Sequence, residues 1–188
     1  MPNVSFPCYL VTKDASGIRG AVATCSESDL PAGELLIRVG YSSLNFKDAL
    51  SATGNPAVTR KFPHVPGIDA AGIVERSDSP LFQAGDAVVV TGFDQGQNAW
   101  GGMAGYVRTR PAIVHRVPEA LPLAHAALTE PVCVAFNAII EKSRPRPGDH
   151  AVVLGPGPIG LLAVQVLRLC GPSRITLVGL RAVHVVFR

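Results

Sequence analysis

The sequence predicts an α+β chain: a mainly β first part, then the opening strand, helix and strand of a parallel βαβ layer. Three observations carry this. Residues 1 to about 118 hold short β-branched and apolar runs cut by Gly and Pro. From Pro122 the texture shifts to Ala- and Leu-rich segments of helical character. Finally, Ala151-Val-Val-Leu154 runs straight into Gly155-Pro-Gly157-Pro-Ile-Gly160 and then into the breaker-free Leu161–Leu169, the order strand, tight turn, helix.

Taken in order, Leu35-Leu-Ile-Arg-Val-Gly-Tyr41 has the β-branched and apolar mix of a strand. Asn45-Phe-Lys-Asp-Ala-Leu50 interrupts with one or two helical turns, on which Asn45 and Asp48 share a side. Gly72–Glu75 and Ala87–Thr91 are short strands, the second entered through the Gly85-Asp86 turn signal. Gly101-Gly102 before Met103–Val107 predicts a strand entered by a tight or bulged backbone. Ala124–Pro131 and Val132–Lys142 read as helical segments split by Pro131, and Arg144–Asp149 as the turn before the next strand. Ile175-Thr-Leu-Val178 is the second strand of the parallel pair. Together these give a compact barrel or irregular sandwich over 1–121 and a second unit over 122–188.

Composition narrows the function. An apolar fraction of 47% with 16% charged residues belongs to a core-forming chain. The net charge of +3 is small and scattered, which argues against nucleic acid. No secretory signal opens the chain, and the uncharged segment 151–167 is too short and too rich in Gly and Pro to span a bilayer, which takes roughly 20 apolar residues. A cytoplasmic protein acting on a small molecule, with no membrane partner, is expected. Cys8, Cys25, Cys133 and Cys170 form no CxxC pair, so free buried thiols are expected and no structural zinc.

The G-x-G-x-x-G spacing carries the chemistry. Gly155 permits the tight turn, Gly157 lets backbone approach a pyrophosphate, and Gly160 allows close helix–strand packing. Pro158 and Ile159 complete the loop at a helix N-terminus, where unpaired N–H groups favour phosphate. A site selective for NAD shows Asp or Glu about 20 residues beyond the glycines. No acid occurs between Gly171 and Arg188, and Arg181 could meet a 2′-phosphate instead, so NADP is preferred over NAD.

Four further motifs, Tyr41-Ser-Ser-Leu-Asn-Phe-Lys-Asp-Ala-Leu50, Phe62-Pro-His-Val-Pro-Gly-Ile-Asp-Ala-Ala-Gly72, Phe82-Gln-Ala-Gly-Asp86 and Trp100-Gly-Gly-Met-Ala104, resemble the catalytic domain of medium-chain dehydrogenases/reductases. Residues 9–112 are most similar to the zinc-free acrylyl-CoA reductase and quinone oxidoreductase branch. Leu128-Thr-Glu-Pro-Val-Cys133 and the glycine loop resemble the zinc-type polyol and threonine dehydrogenases instead. The resemblance implies a GroES-like domain, then a Rossmann domain, with NADPH held in the cleft between them. A complete Rossmann domain of this class has about six parallel strands, of which the sequence supplies two, so an incomplete domain is expected.

Zinc members of the family carry a Cys in the segment matching Leu44-Asn45-Phe46 and a His-Glu pair matching Ile68-Asp69. Here only carboxylates, Asp69 and Glu130, stand at ligand positions, a poor set for a borderline-soft ion. The resemblance places Phe46 against the nicotinamide at a position that is often Tyr, so this chain keeps the wall without the hydroxyl. Asn45 and Asp48 are the polar candidates for catalysis, each with an alternative role as a helix cap or first-turn carboxylate. His64, in a Pro-framed loop, is expected to be solvated. Trp100 fits a pocket wall or a packed core equally. The leading function is a zinc-free oxidoreductase passing hydride from NADPH to an enoyl thioester, enone or quinone. The alternatives are a catalytically incomplete module that self-associates through Leu161–Leu169, and a zinc-dependent polyol dehydrogenase relative.

Overall fold

The structure, a computed structural model, describes residues 4–180 and divides into two compact units, Met1–Thr129 and Glu130–Arg188. A hairpin absent from the sequence-based expectation opens the first. Strands β1 (Ser5–Asp14) and β2 (Gly17–Ser26) pair antiparallel about a turn in which Asp14 accepts the Ser16 N–H at 2.7 Å. β1 turns Phe6, Cys8 and Val11 inward, whereas β2 buries only Cys25. Its small and charged residues therefore give no periodic signal.

β3 (Leu35–Tyr41) is the organising strand, because successive side chains on a strand point to opposite faces. Leu35 and Ile37 enter one apolar cluster with Val74, Val88, Val90, Val107, Ile113 and Val114. Leu36, between them, enters a second with Phe6, Cys8, Cys25, Leu30, Val65 and Trp100. Burying such a side chain contributes about 1.5–3 kcal/mol, so three in a row fix this strand between two layers. A short helix, α1 (Phe46–Ala52), follows.

β4 (Asp69–Ser77), β5 (Ala87–Thr91), β6 (Tyr106–Thr109) and β7 (Val114–Arg116) complete a five-stranded antiparallel sheet in the order β6-β3-β4-β5-β7. β6 begins three residues later than its apolar run suggests. The preceding backbone bonds elsewhere: Gly101 to Val65, Gly102 to Gly67 and Met103 to Pro66, through N–H···O distances of 2.7–3.0 Å. The helix α2 (Leu123–Ala126) covers Ala71 and Val89 on the sheet.

In the second unit α3 (Thr129–Phe136) runs through Pro131 instead of breaking there. Pro131 lies in the first turn, where its missing N–H would have had no intrahelical partner. The helix continues as a π-helical stretch, Asn137–Ser143, that Arg144 ends in a left-handed conformation. β8 (His150–Leu154), α4 (Pro158–Leu169) and β9 (Arg174–Val178) then form the expected βαβ unit, with β8 and β9 parallel. Ala163 and Leu167 of α4 pack on Ala135 and Ile139, so much of the apolar α4 face is covered within the unit. Leu169 stays exposed, as do Val152 and Leu154 on the outer sheet face. No helix among the described residues is long and apolar enough to cross a membrane.

Candidate functional site

The expected site residues fall into two groups, one in each unit. In the first unit the chain leaves β3 and enters α1 through Asn45, whose extended backbone makes it the N-cap. Its side-chain carbonyl accepts the Lys47 N–H at 3.1 Å, while Asp48 accepts the Asn45 N–H at 2.8 Å, a reciprocal capping box. The other oxygen of Asp48 accepts the N–H groups of Gly67 and Ile68 at 3.2 and 3.0 Å. Asp48 is buried, so this carboxylate ties the start of α1 to the loop before β4.

A second buried carboxylate repeats the device. Asp69 accepts both the backbone N–H (2.7 Å) and the hydroxyl (2.5 Å) of Ser43, and Ser42 donates to the Asp69 carbonyl at 2.9 Å. Sequence reasoning weighed Asp69 only as a metal ligand. No sequence spacing announces its pairing with Ser43, 26 positions away. Held at both ends, the segment presents Leu44 and Phe46 outward, 84% and 76% exposed. An exposed aromatic on a fixed helix start is suited to stacking against a planar ring.

His64 is buried where solvation was expected. It exchanges backbone hydrogen bonds with Val11, and its Nε2–H donates to the Gly96 carbonyl at 2.9 Å. Burial pushes its pKa below the usual value, so the ring stays neutral as a core hydrogen-bond donor. Trp100 is also packed, with its indole N–H on the Pro63 carbonyl at 3.0 Å. Among the described residues no three His, Cys, Asp or Glu side chains are grouped as a metal site would need.

In the second unit Gly155, Gly157, Pro158, Ile159 and Gly160 come together between β8 and α4. Gly155 takes φ +101°, in the left-handed region, and its N–H donates to Val178 at 2.8 Å, joining the loop to β9. Gly160 lies on the Gly155 carbonyl, and a Cβ there would overlap it. Gly157 caps the helix, and a Cβ there would meet nothing within 4 Å. Pro158 carries no N–H, so the first turn offers those of Gly157, Ile159 and Gly160. This is an open set of donors at the positive end of a helix, chemistry that favours a phosphate. Arg181 lies outside the described residues.

The family model for the alcohol dehydrogenase GroES-like domain matches residues 31–119. The probable acrylyl-CoA reductase AcuI of Escherichia coli K12 is 36% identical over 172 residues, covering 87% of this chain and 52% of that protein. The yhdH oxidoreductase of Salmonella enterica, solved in complex with NADP, superposes with a TM-score of 0.77 at 31% identity, over 91% of this chain and 60% of that one. By these comparisons the chain is similar to members of the medium-chain dehydrogenase/reductase superfamily. Another of its members, the yhfP protein of Bacillus subtilis, solved with NAD bound, gives a TM-score of 0.77 at 25% identity and covers 93% and 60%. The chain therefore spans about half the length of the acrylyl-CoA reductase it matches and 60% of each of these solved structures.

Proposed function

We propose that this chain forms part of a zinc-free reductase that uses NADPH to reduce an enoyl thioester, an enone or a quinone. The observation that carries the reading is the cradle at Gly157, open to a phosphate and backed by the N-terminus of α4. Bound NADPH would supply the hydride. Gly155, Gly157, Pro158, Ile159 and Gly160 would hold its pyrophosphate, with Arg181 on the 2′-phosphate. Phe46 would wall the nicotinamide, Asn45 would contact the substrate at the start of α1, and Asp48 would hold that helix start in place.

The zinc-free part of the reading rests on ligand chemistry. Residues 44–46 and 68–69 offer neither thiolate nor imidazole, and the Asp69 carboxylate already accepts two hydrogen bonds from Ser43. Elemental analysis after dialysis against chelator should find less than about a tenth of a zinc per chain. Stoichiometric zinc would contradict it.

Fluorescence titration tests the cofactor. NADPH should bind more tightly than NADH, and Arg181→Ala should remove the difference. Equal affinities in the unaltered chain would refute the 2′-phosphate reading.

A second reading rests on the outer face of the β8–β9 sheet. Parallel sheets are ordinarily covered on both faces, yet Val152, Leu154 and Val178 are exposed here, as is Leu169 at the end of α4. The expected self-association is proposed to involve these residues together with the exposed side of Leu161–Leu169. Sedimentation showing a monomer at all concentrations would exclude it.

A further inference from the structure

We propose that Cys8 and Cys25 are the two halves of a latent disulfide that fastens the β1–β2 hairpin. In the register of the two strands Phe6 stands opposite Cys25 and Cys8 opposite Ala23. The cysteines are therefore diagonal neighbours on one face of the hairpin. Their Sγ atoms lie 3.0 Å apart, sharing a thiol hydrogen bond, about 1 Å short of a covalent S–S bond. Both are free thiols, buried among Phe6, Leu30, Leu36, Val65 and Trp100. Cys133, by contrast, is exposed, and Cys170 is half-buried with its thiol on the Val166 carbonyl.

In the closed hairpin the pair is protected. Burial, and then the neighbouring Cys25, push the Cys8 thiol up to about 12, so very little thiolate forms. Access must come through opening of the hairpin. β2 pairs only with β1 among the described strands and most of it is exposed, so β2 peeling away from β1 is the opening of lowest cost.

The oxidant we name is a small-molecule disulfide such as oxidised glutathione. One cysteine, as thiolate, attacks it, forming a mixed disulfide and releasing one small thiol. The second cysteine then attacks the mixed disulfide at the protein sulfur. The Cys8–Cys25 bond forms, the second small thiol leaves, and the two protons lost by the cysteines end on the two released thiols. The cysteines lose two electrons and the small disulfide gains them.

The consequence reaches beyond the hairpin. β1 is bonded to other segments of the first unit: Val11 exchanges two hydrogen bonds with His64, Tyr9 donates to Met103, and Gly105 donates to Pro7. A cross-link between β1 and β2 shortens the free loop of the unfolded chain and holds this layer closed.

The test uses the full chain incubated with oxidised glutathione, with and without urea below the main unfolding transition. Thiols are then mapped by alkylation and peptide mass spectrometry. We expect a Cys8–Cys25 peptide lacking two hydrogens, formed at least tenfold faster in urea, and a melting temperature raised by about 5 °C or more. Reduction should reverse both. Cys25→Ser should abolish the linked peptide and, should that variant fail to fold, the mapping on the unaltered chain still decides. The proposal is overturned if Cys8 and Cys25 stay unlinked in urea while Cys133 reacts, or if the linked protein melts lower than the reduced one.

Discussion

Gly160 rests directly on the carbonyl oxygen of Gly155, closing the turn between β8 and α4 so tightly that no side chain fits at position 160. Three residues earlier, Gly157 faces open space. The same glycine spacing thus contains one position constrained by packing and one where no neighbouring protein atom would obstruct a side chain. Gly160→Ala should destabilise the second unit by about 1–3 kcal/mol, as overpacking does. Hydrogen exchange at the amides of β8 and α4 reads this directly, and unchanged protection there would contradict the packing account.

Asp48 accepts three backbone N–H groups while buried, so removing it strands three donors. Asp48→Ala should cost about 1–3 kcal/mol of stability in the first unit. Asp48→Asn, which keeps one acceptor oxygen, should cost less. Equal urea midpoints for the two variants would mean that the carboxylate is not the clamp described.

His64 is neutral in the folded chain, its pKa lowered chiefly by burial and partly offset by its bond to Gly96. Below the ordinary value of 6.5 the unfolded chain therefore takes up more protons than the folded one. Stability should fall as pH drops from about 7.5 to 5.5 on this account, and the decline should flatten in His64→Gln. A urea midpoint with the same slope in both proteins would refute it.

Glu27 acts further down the pH scale. It meets Arg76 and Arg108, and the guanidinium partners, Arg76 first, hold its carboxyl below the usual 4.5. Its contribution should be fully present above about pH 4.5 and disappear as pH falls through the lowered value. Acid-induced loss of structure should begin at higher pH in Glu27→Gln, and an unchanged acid midpoint would exclude the pairing as a source of stability.

Much of the fold is legible because the physics is local. β3 and β5 appear with the bounds their β-branched runs predict, and the β8–turn–α4–β9 order follows from glycine spacing. The β1–β2 hairpin is not legible, since β2 buries one residue in ten and its pairing depends on β1 and on the core beneath. Pro131 misleads because a proline in a helix interior and one in a first turn look alike in sequence. His64 misleads because its burial depends on Val11 and Gly96, 53 and 32 positions away. The capping roles open to Asn45 and Asp48 are the ones their geometry displays, and only for Asn45 is contact with substrate proposed. The proximity of Cys8 to Cys25 could be read only once the hairpin was known.

The central claim is that the β8–α4 cradle holds the pyrophosphate of a dinucleotide, and Gly157→Val tests it most directly. Its Cβ would meet no protein atom within 4 Å, and its backbone φ of −79° suits any residue, so the fold should be unchanged. The new side chain would occupy the space a phosphate needs. Titration with NADPH, with circular dichroism as the fold control, should show a loss of affinity of at least about tenfold, or 1.4 kcal/mol. NADPH binding equally well to the unaltered chain and to Gly157→Val would contradict the account.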